Sequence, residues 1–484
     1  MKKLAPQLVA VLAALAVAVV ALLAGPRTPH VSEATTGDAE LAQQVRTLLA
    51  DDNGYQTLHV TVVTRDSVRH AGLGTASDGR TPDATMPLEL GSITKTFNGQ
   101  LLADAVTRGE VRATDKVSQH IPDLAGSPIG EATLEALASH RAGIPSLPAQ
   151  MTSPVIVGDL TGGNPYTASR DQVIAWAKTT PISGAGTVQY SNLGAALLGQ
   201  ALAAAAKAQS WQSYVSQRLL TPLGMTHTAF AAQRSEIPAG ALPGVLESGR
   251  SVGPWLADGF APAGPATWTT ADDMARYAQA LLKGTAPGMD ALTPRWEAGP
   301  RATIGYHWFT NQRDGRTVTW HNGATARFST LLVLDREAGK AVLVFGSTTR
   351  AVDGLGNRLV TGSTTPVAGL KTTEDWITPG VMLLVVLGSL VGLWRTHSRL
   401  GAAGHALTAL SGLVLLAAFG PWAVVPGWVF ALVAGATAYG VVAVLPRLRT
   451  LPTVPTRQAW LTWLSLVLSG ALLVAACVCV WPRS

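Results

Sequence analysis

The sequence predicts an α/β domain, in which N- and C-terminal pieces of the chain share one sheet beside a helical region, followed by a tail of membrane-spanning helices. Two observations predict it. β-rich segments stand at Leu58–Thr64 and again at Thr317–Trp320, Ser329–Leu334 and Ala341–Phe345, with helical patterns between them. Beyond Ile377 the chain is strongly apolar and holds no acidic residue as far as Trp481.

Taken in order, the first element is the uncharged run Leu4–Gly25, which comes after Lys2 and Lys3. A bilayer is crossed by roughly 20 apolar residues, so this run is long enough to be an anchor. Two lysines before an apolar run also describe a secretory signal. Either reading assigns residues 1–25 to a signal peptide or N-terminal anchor and exports the large domain behind it. That domain is expected over residues 36–360. Within it, Thr96–Arg108 reads as a helix following Ser92, and Leu193–Ala206 as an alanine-rich helix. Thr270-Ala271-Asp272-Asp273 resembles a capping box ahead of Met274–Leu282. Residues 361–375, with Gly362, Ser363, Pro366 and Gly369, read as a linker.

The tail, residues 376–484, contains four apolar runs, Ile377–Trp394, Ala402–Phe419, Val424–Leu445 and Ala459–Trp481. Each is close to the roughly 20-residue span length. Arg395 and Arg399 come after the first, Gly420-Pro421-Trp422 joins the second and third, and Arg447, Arg449 and Arg457 fill the last connection. This alternation of basic and uncharged loops, together with Lys2 and Lys3, predicts a multi-pass protein of the cell membrane with its large domain outside the cytoplasm. Trp376, Trp394, Trp422, Trp428, Trp460, Trp463 and Trp481 fall near the ends of these runs, as interfacial anchors do. Lipid is therefore an expected partner. No protein partner of the tail is legible.

The net charge of +6 does not indicate a nucleic-acid partner. Eight of the 36 basic residues flank the apolar segments, and the remaining 28 face 30 acidic ones. Cys477 and Cys479 both lie in the last apolar run, and residues two apart on a helix do not face each other, so no disulfide is expected.

Three short motifs carry the chemistry: Ser92-Ile93-Thr94-Lys95, Tyr190-Ser191-Asn192 and His321-Asn322-Gly323. A serine three residues before a lysine shares one helix face with it, and an amine held there can take the hydroxyl proton. Burial would let Lys95 act neutral, and the helix start at Gly91-Ser92 offers free amides to an oxyanion. A serine cap with a solvated lysine is the plainer reading of this motif alone. Tyr190 lies in a loop before a helix, where a phenol beside an amine can pass a proton to a leaving group. Asn192 can orient a substrate amide. His321 ends a predicted strand and can hold a carboxylate or polarise a bond, and Gly323 lets substrate approach the backbone.

With these motifs the domain resembles the serine hydrolases related to class C β-lactamases and D-Ala-D-Ala carboxypeptidases. Leu101–Gly109, Leu137–Pro145, Tyr190–Gly199, Leu220–Met225 and Thr269–Asp273 also fit that family. The resemblance implies a β-lactamase/transpeptidase-like fold, with an antiparallel sheet flanked by helices and a helical subdomain. It implies Ser92 as nucleophile, Lys95 as base, Tyr190 as proton-transfer partner and Asn192 as a substrate contact. The His321–Gly323 strand would line the cleft, and the amides of Ser92 and Ala324 would form the oxyanion hole. Two departures stand out. His321 replaces the lysine of true β-lactamases, and Ala326-Arg327-Phe328 stands where Gly-Phe is usual, so Arg327 is expected to narrow the cleft or bind an acidic substrate.

No metal-ligand spacing is present and no cofactor is expected. Gly249-Arg250-Ser251-Val252-Gly253 matches a nucleophile elbow, but Pro238, Pro243 and Pro254 surround it and make it a loop. His140 reads as a packing or turn residue. The expected function is an extracytoplasmic serine hydrolase acting on a small peptide, β-lactam or ester, first of all as a D-Ala-D-Ala carboxypeptidase. The alternatives are a maturation peptidase for a natural-product precursor, a true β-lactamase or esterase, and a non-enzymatic penicillin- or peptide-binding sensor.

Overall fold

The computed structural model describes residues 4–367, 377–454 and 459–480. The expectations for Lys2, Lys3, Trp376, Arg457 and Trp481, and for the second half of the linker, lie outside these residues. The chain divides into two compact units: His30–Val245 with Val252–Gly369, and Met1–Pro29 with Leu246–Ser251 and Leu370–Ser484.

In the larger unit the strands are β1 (Thr35–Gly37), β2 (Thr57–Thr64), β3 (Val68–Gly74), β4 (Leu88–Glu89), β5 (Ala229–Phe230) and β6 (Thr267–Thr269). They continue as β7 (Trp296–Glu297), β8 (Ala302–Ile304), β9 (Phe309–Arg313), β10 (Arg316–Ala324), β11 (Ser329–Asp335) and β12 (Lys340–Gly346). Nine of them form one sheet in the order β1-β3-β2-β12-β11-β10-β9-β8-β7, antiparallel throughout, and β4-β6-β5 form a small second sheet. The β2–β12 pairing, Val60 opposite Val344, joins the two ends of the domain.

Both faces of the large sheet are covered, which is why its central strands read as unbroken apolar runs. Leu332 and Leu334 of β11 face one core, with Phe97, Leu101 and Tyr277, while Leu331 and Val333 face the other, with Leu41, Val45 and Leu355. The helix Thr94–Thr107 lies in the first core, and Ala39–Leu48 and Asp353–Thr361 cover the second. The helix Asn192–Ala205 and its neighbours make the helical region.

The predicted elements stand with small differences. β10 extends to Ala324, so His321-Asn322-Gly323 lies inside a strand rather than at its end. Thr270 caps Ala271–Lys283 by accepting the Asp273 N–H at 3.2 Å, yet the Asp273 carboxylate turns to the His227 N–H, Thr228 and Arg276, so half of the capping box is spent elsewhere. Thr361 belongs to the preceding helix, which Gly362 ends in the left-handed region. The Gly249–Gly253 segment is a loop with no strand before it or helix after it.

The smaller unit is helical. Leu4–Ala24, Ile377–Arg395, Arg399–Phe419, Trp428–Leu448 and Ala459–Val480 are its helices, and among the described residues three stretches are long and apolar enough to cross a membrane (Pro6–Ala24, Arg399–Phe419 and Trp428–Leu448). The third apolar run starts its helix at Trp428 rather than Val424, because Pro421 and Pro426 hold the preceding residues in a turn. Leu4–Ala24 packs on Trp428–Leu448 at Gly435, where a Cβ would fall 3.0 Å from the Ala14 carbonyl. The Arg399 guanidinium donates to the carbonyls of Leu448 and Leu451, and Arg447 donates to that of Trp394, so these arginines gather at one end of the helices.

Candidate active site

Ser92 is placed by the turn ahead of its helix. Residues 91–93 form a single 3-10 turn that runs into Thr94–Thr107, and the Thr94 hydroxyl donates to the Gly91 carbonyl at 2.7 Å. Gly91 has φ +63°, and a Cβ there would lie 2.9 Å from the Ala324 nitrogen. Across the gap, a Cβ on Gly323 would lie 2.4 Å from the Leu90 carbonyl and 3.0 Å from the Ser92 nitrogen. Two glycines thus let the start of this helix and strand β10 touch backbone to backbone.

That contact leaves the Ala324 N–H free. The Thr325 N–H bonds to the Phe328 carbonyl, so antiparallel alternation turns Ala324 N–H away from β11. β9 pairs with β10 only as far as Trp320, so that side of Ala324 is open. Ser92, Tyr190, Asn192, Asn322, Gly323 and Ala324 line one cavity of about 430 Å3.

Lys95 comes one helical turn after Ser92, and its Nζ lies 2.8 Å from Ser92 Oγ. The amine also donates to the Ala263 carbonyl. It is fully buried and has no acidic partner among the described residues. Burial therefore holds its pKa well below the usual lysine value. A neutral amine in this place keeps a lone pair for the Ser92 proton.

Tyr190 closes the third side. Its ring lies 4.9 Å from Lys95 Nζ. The surrounding protein pushes its phenol upward, a hydrogen bond with Ser92 opposes that, and the 39 % exposure of the ring limits the push. The backbone on both sides of it is pinned by His140, whose carbonyl accepts the Gln189 N–H at 2.7 Å and whose Nδ1 accepts the Ser191 N–H at 3.2 Å. Ser191 also caps Asn192–Ala205 by accepting the Gly194 N–H at 2.8 Å. Asn192 Nδ2 reaches Ser146 Oγ at 3.4 Å.

Three buried imidazoles stand behind Tyr190. Since His140 Nδ1 accepts, its proton is on Nε2, which donates to His307 Nδ1 at 3.2 Å. The His140 ring stacks 4.6 Å from Tyr190, and the His321 ring is 6.2 Å away. His321 Nδ1 donates to the Asn322 carbonyl at 2.6 Å, and its Nε2 has no partner among the described residues. Burial pushes His321 down to about 3 and holds His140 and His307 well below 6.5, so all three are neutral at physiological pH. His140 and His307 both take positive φ, 57° and 58°, which costs a β-carbon-bearing residue about 1 kcal/mol or more.

Each sequence-predicted site residue thus falls in or directly behind one cleft. Three contributors carried no sequence signal: His307 and the cleft-lining rings of Tyr166 and Trp255. One expectation is corrected. Arg327 is not free to meet an acidic substrate, because its Nε donates at 2.5 Å to Oε1 of Glu89, whose side chain is buried.

The sequence matches the family described as Beta-lactamase over residues 41–361. A beta-lactamase of Escherichia coli (strain K12) is 30% identical over 196 residues, which are 40% of this chain and 48% of that protein. Beta-lactamase-like protein 2 of Dictyostelium discoideum is 28% identical over 192 residues, 37% of this chain and 33% of that protein. The chain therefore spans about half, or less, of the length of these curated relatives. Among solved structures, a class C beta lactamase from Rhodobacter sphaeroides superposes with TM-score 0.53 at 20% identity, covering 64% of this chain and 94% of that one. A D-alanine carboxypeptidase from Burkholderia cenocepacia superposes with TM-score 0.54 at 20% identity, covering 67% and 96%. The fold is the β-lactamase/transpeptidase-like one, and the chain belongs to the beta-lactamase family.

Proposed function

We propose that this protein is an acyl-serine hydrolase that cleaves an amide or ester outside the cytoplasm. The 2.8 Å approach of a buried, acid-free Lys95 amine to Ser92 Oγ carries the reading. Lys95 takes the Ser92 proton as Oγ attacks the substrate carbonyl. The amides of Ser92 and Ala324 receive the developing oxyanion. Tyr190 passes a proton to the leaving group, and water then releases the acyl group from Ser92. Asn192, Gly323 and Ala324 form the substrate-facing wall. His321 of the same strand is buried behind that wall and backs Tyr190.

Intact mass spectrometry of the purified protein after exposure to a panel of acyl donors tests this. The wild type gains one acyl mass and Ser92→Ala gains none. Turnover falls by about a million-fold without the nucleophile. Equal labelling of both forms rejects Ser92.

The proposal has two finer parts. Peptidase action on a D-Ala-D-Ala-type peptide draws on His321 at the lysine position and on the proposed location. Anchoring with the hydrolase domain outside draws on the gathering of Arg395, Arg399, Arg447 and Arg449 in the connections at one end of the helices.

A further inference from the structure

The cleft is more specific about charge than the catalytic groups are. One flank is aromatic. The rings of Tyr166 and Trp255 meet edge to face at 5.0 Å, and Tyr166 rests on Phe260 at 5.5 Å. Tyr166 and Trp255 both line the cavity. They come from two loops that are tied together. Asn164 Nδ2 donates to the Leu256 carbonyl at 2.7 Å, and the Gly253 N–H donates to the Gly162 carbonyl at 3.3 Å. Burial pushes the Tyr166 phenol up to about 12, so this flank is uncharged at any physiological pH.

No lining residue among those described carries a positive charge. Two arginines of the domain are committed elsewhere. Arg327 is held by buried Glu89. Arg350 is 4% exposed, lies 4.4 Å over the Tyr55 ring and donates to the Asn53 carbonyl. Lys95 is turned onto Ser92 Oγ and the Ala263 carbonyl, and burial pushes it toward its neutral form, while buried His321 is neutral. An acidic group, by contrast, stands directly behind the wall: Asp353 Oδ1 accepts from the cleft residue Asn322 at 3.0 Å.

A carboxylate on the substrate would meet no cationic side chain on the cavity wall and one carboxyl group behind it. An apolar group would meet a preformed aromatic surface. We propose that the Ser92 cleft takes an acyl donor that is uncharged near the scissile bond and bears an apolar group that lies on Trp255 and Tyr166. The proposal rests on the acyl-serine reading and narrows it to neutral esters and amides; it competes with the D-Ala-D-Ala peptidase reading, whose substrate carries a carboxylate beside the scissile bond, and one charge on the substrate separates the two.

The test uses the full-length protein in detergent and two matched thioesters, phenylacetylglycyl-mercaptoacetate and phenylacetylglycyl-mercaptoacetamide, which differ only in one charge. The neutral thioester is expected to show at least about 10-fold higher kcat/KM. Equal rates, or preference for the carboxylate, overturn the proposal. A second arm compares neutral thioesters bearing phenyl or methyl, first on the acyl side and then on the leaving side. Trp255→Ala lowers the phenyl-over-methyl preference in one of the two series, and that series assigns the side the aromatic flank serves. An unchanged preference in both overturns the aromatic surface. Ser92→Ala is run throughout. If it turns over either thioester at the wild-type rate, or if the wild type forms no acyl adduct with any of them, the acyl-serine reading itself falls and the proposal with it.

Discussion

Lys95 is the residue on which the proposed chemistry turns, and its burial makes a pH statement. Its folded pKa is depressed, so the amine is protonated only below that lowered value. Acylation at limiting substrate is expected to rise with pH and level off well below pH 10.5, the ordinary value of an exposed lysine. A limb that keeps rising to that value would mean a solvated, charged amine. The histidines make a second statement, about stability. His59 and His321 are pushed down to about 3, and His140 and His307 well below 6.5. Between those values and about 6.5 the unfolded chain binds protons that the folded one does not, so stability is full above pH 6.5 and declines as pH falls. Each imidazole adds a slope of about 1.4 kcal/mol per pH unit in that window. Denaturant titrations at pH 7 and pH 5 check the sign, and His307→Asn is expected to hold most of the fold, since asparagine accepts a left-handed backbone and a hydrogen bond from His140. The Ser-x-x-Lys pair was legible because helical spacing alone puts it on one face. His307 was not, because its partner is far away in sequence and nothing local marks a histidine at φ 58°.

The decisive element is β10, where the strand backbone meets the start of the Ser92 helix. Gly323→Ala would drive a methyl against the Leu90 carbonyl at 2.4 Å and the Ser92 nitrogen at 3.0 Å. Separating Ala324 N–H from Ser92 N–H would remove one oxyanion donor, so kcat is expected to fall about 100- to 1000-fold. Circular dichroism on the same sample separates that loss from unfolding. Of the longer strands, β2, β10, β11 and β12 were legible because both faces of the sheet are buried and leave apolar runs, as in Leu331–Leu334, while β3 was not, since Arg69 and His70 break its run. β4, β5 and β6 were not, since two or three residues such as Leu88–Glu89 hold no period to read. The extension of β10 past His321 was hidden for another reason: Asn322 and Gly323 are poor strand formers, placed there by the helix start they touch.

For the whole molecule, the tail was the most legible part, because a long apolar run needs no tertiary contact to declare itself. The Tyr166–Trp255 flank was the least, because it is assembled from two loops that only the folded chain brings together. The proposed orientation is tested with single cysteines in otherwise cysteine-free protein. Arg301→Cys in the hydrolase unit is expected to react with a membrane-impermeant maleimide on intact cells, and Arg449→Cys only after permeabilisation. The reverse pattern would overturn the orientation.

The pairing of β2 with β12 has a consequence for biogenesis. Gly91 and Ser92 leave the ribosome early, but the strand that completes their oxyanion site, and the strand that closes the sheet onto Val60, are among the last parts of the domain to be made. A nascent chain therefore carries a primed serine with no acylating centre around it. If synthesis is coupled to translocation in the proposed orientation, the proposed hydrolase can assemble only on the far side of the bilayer, and the cytoplasm is spared its activity by the order of the strands alone.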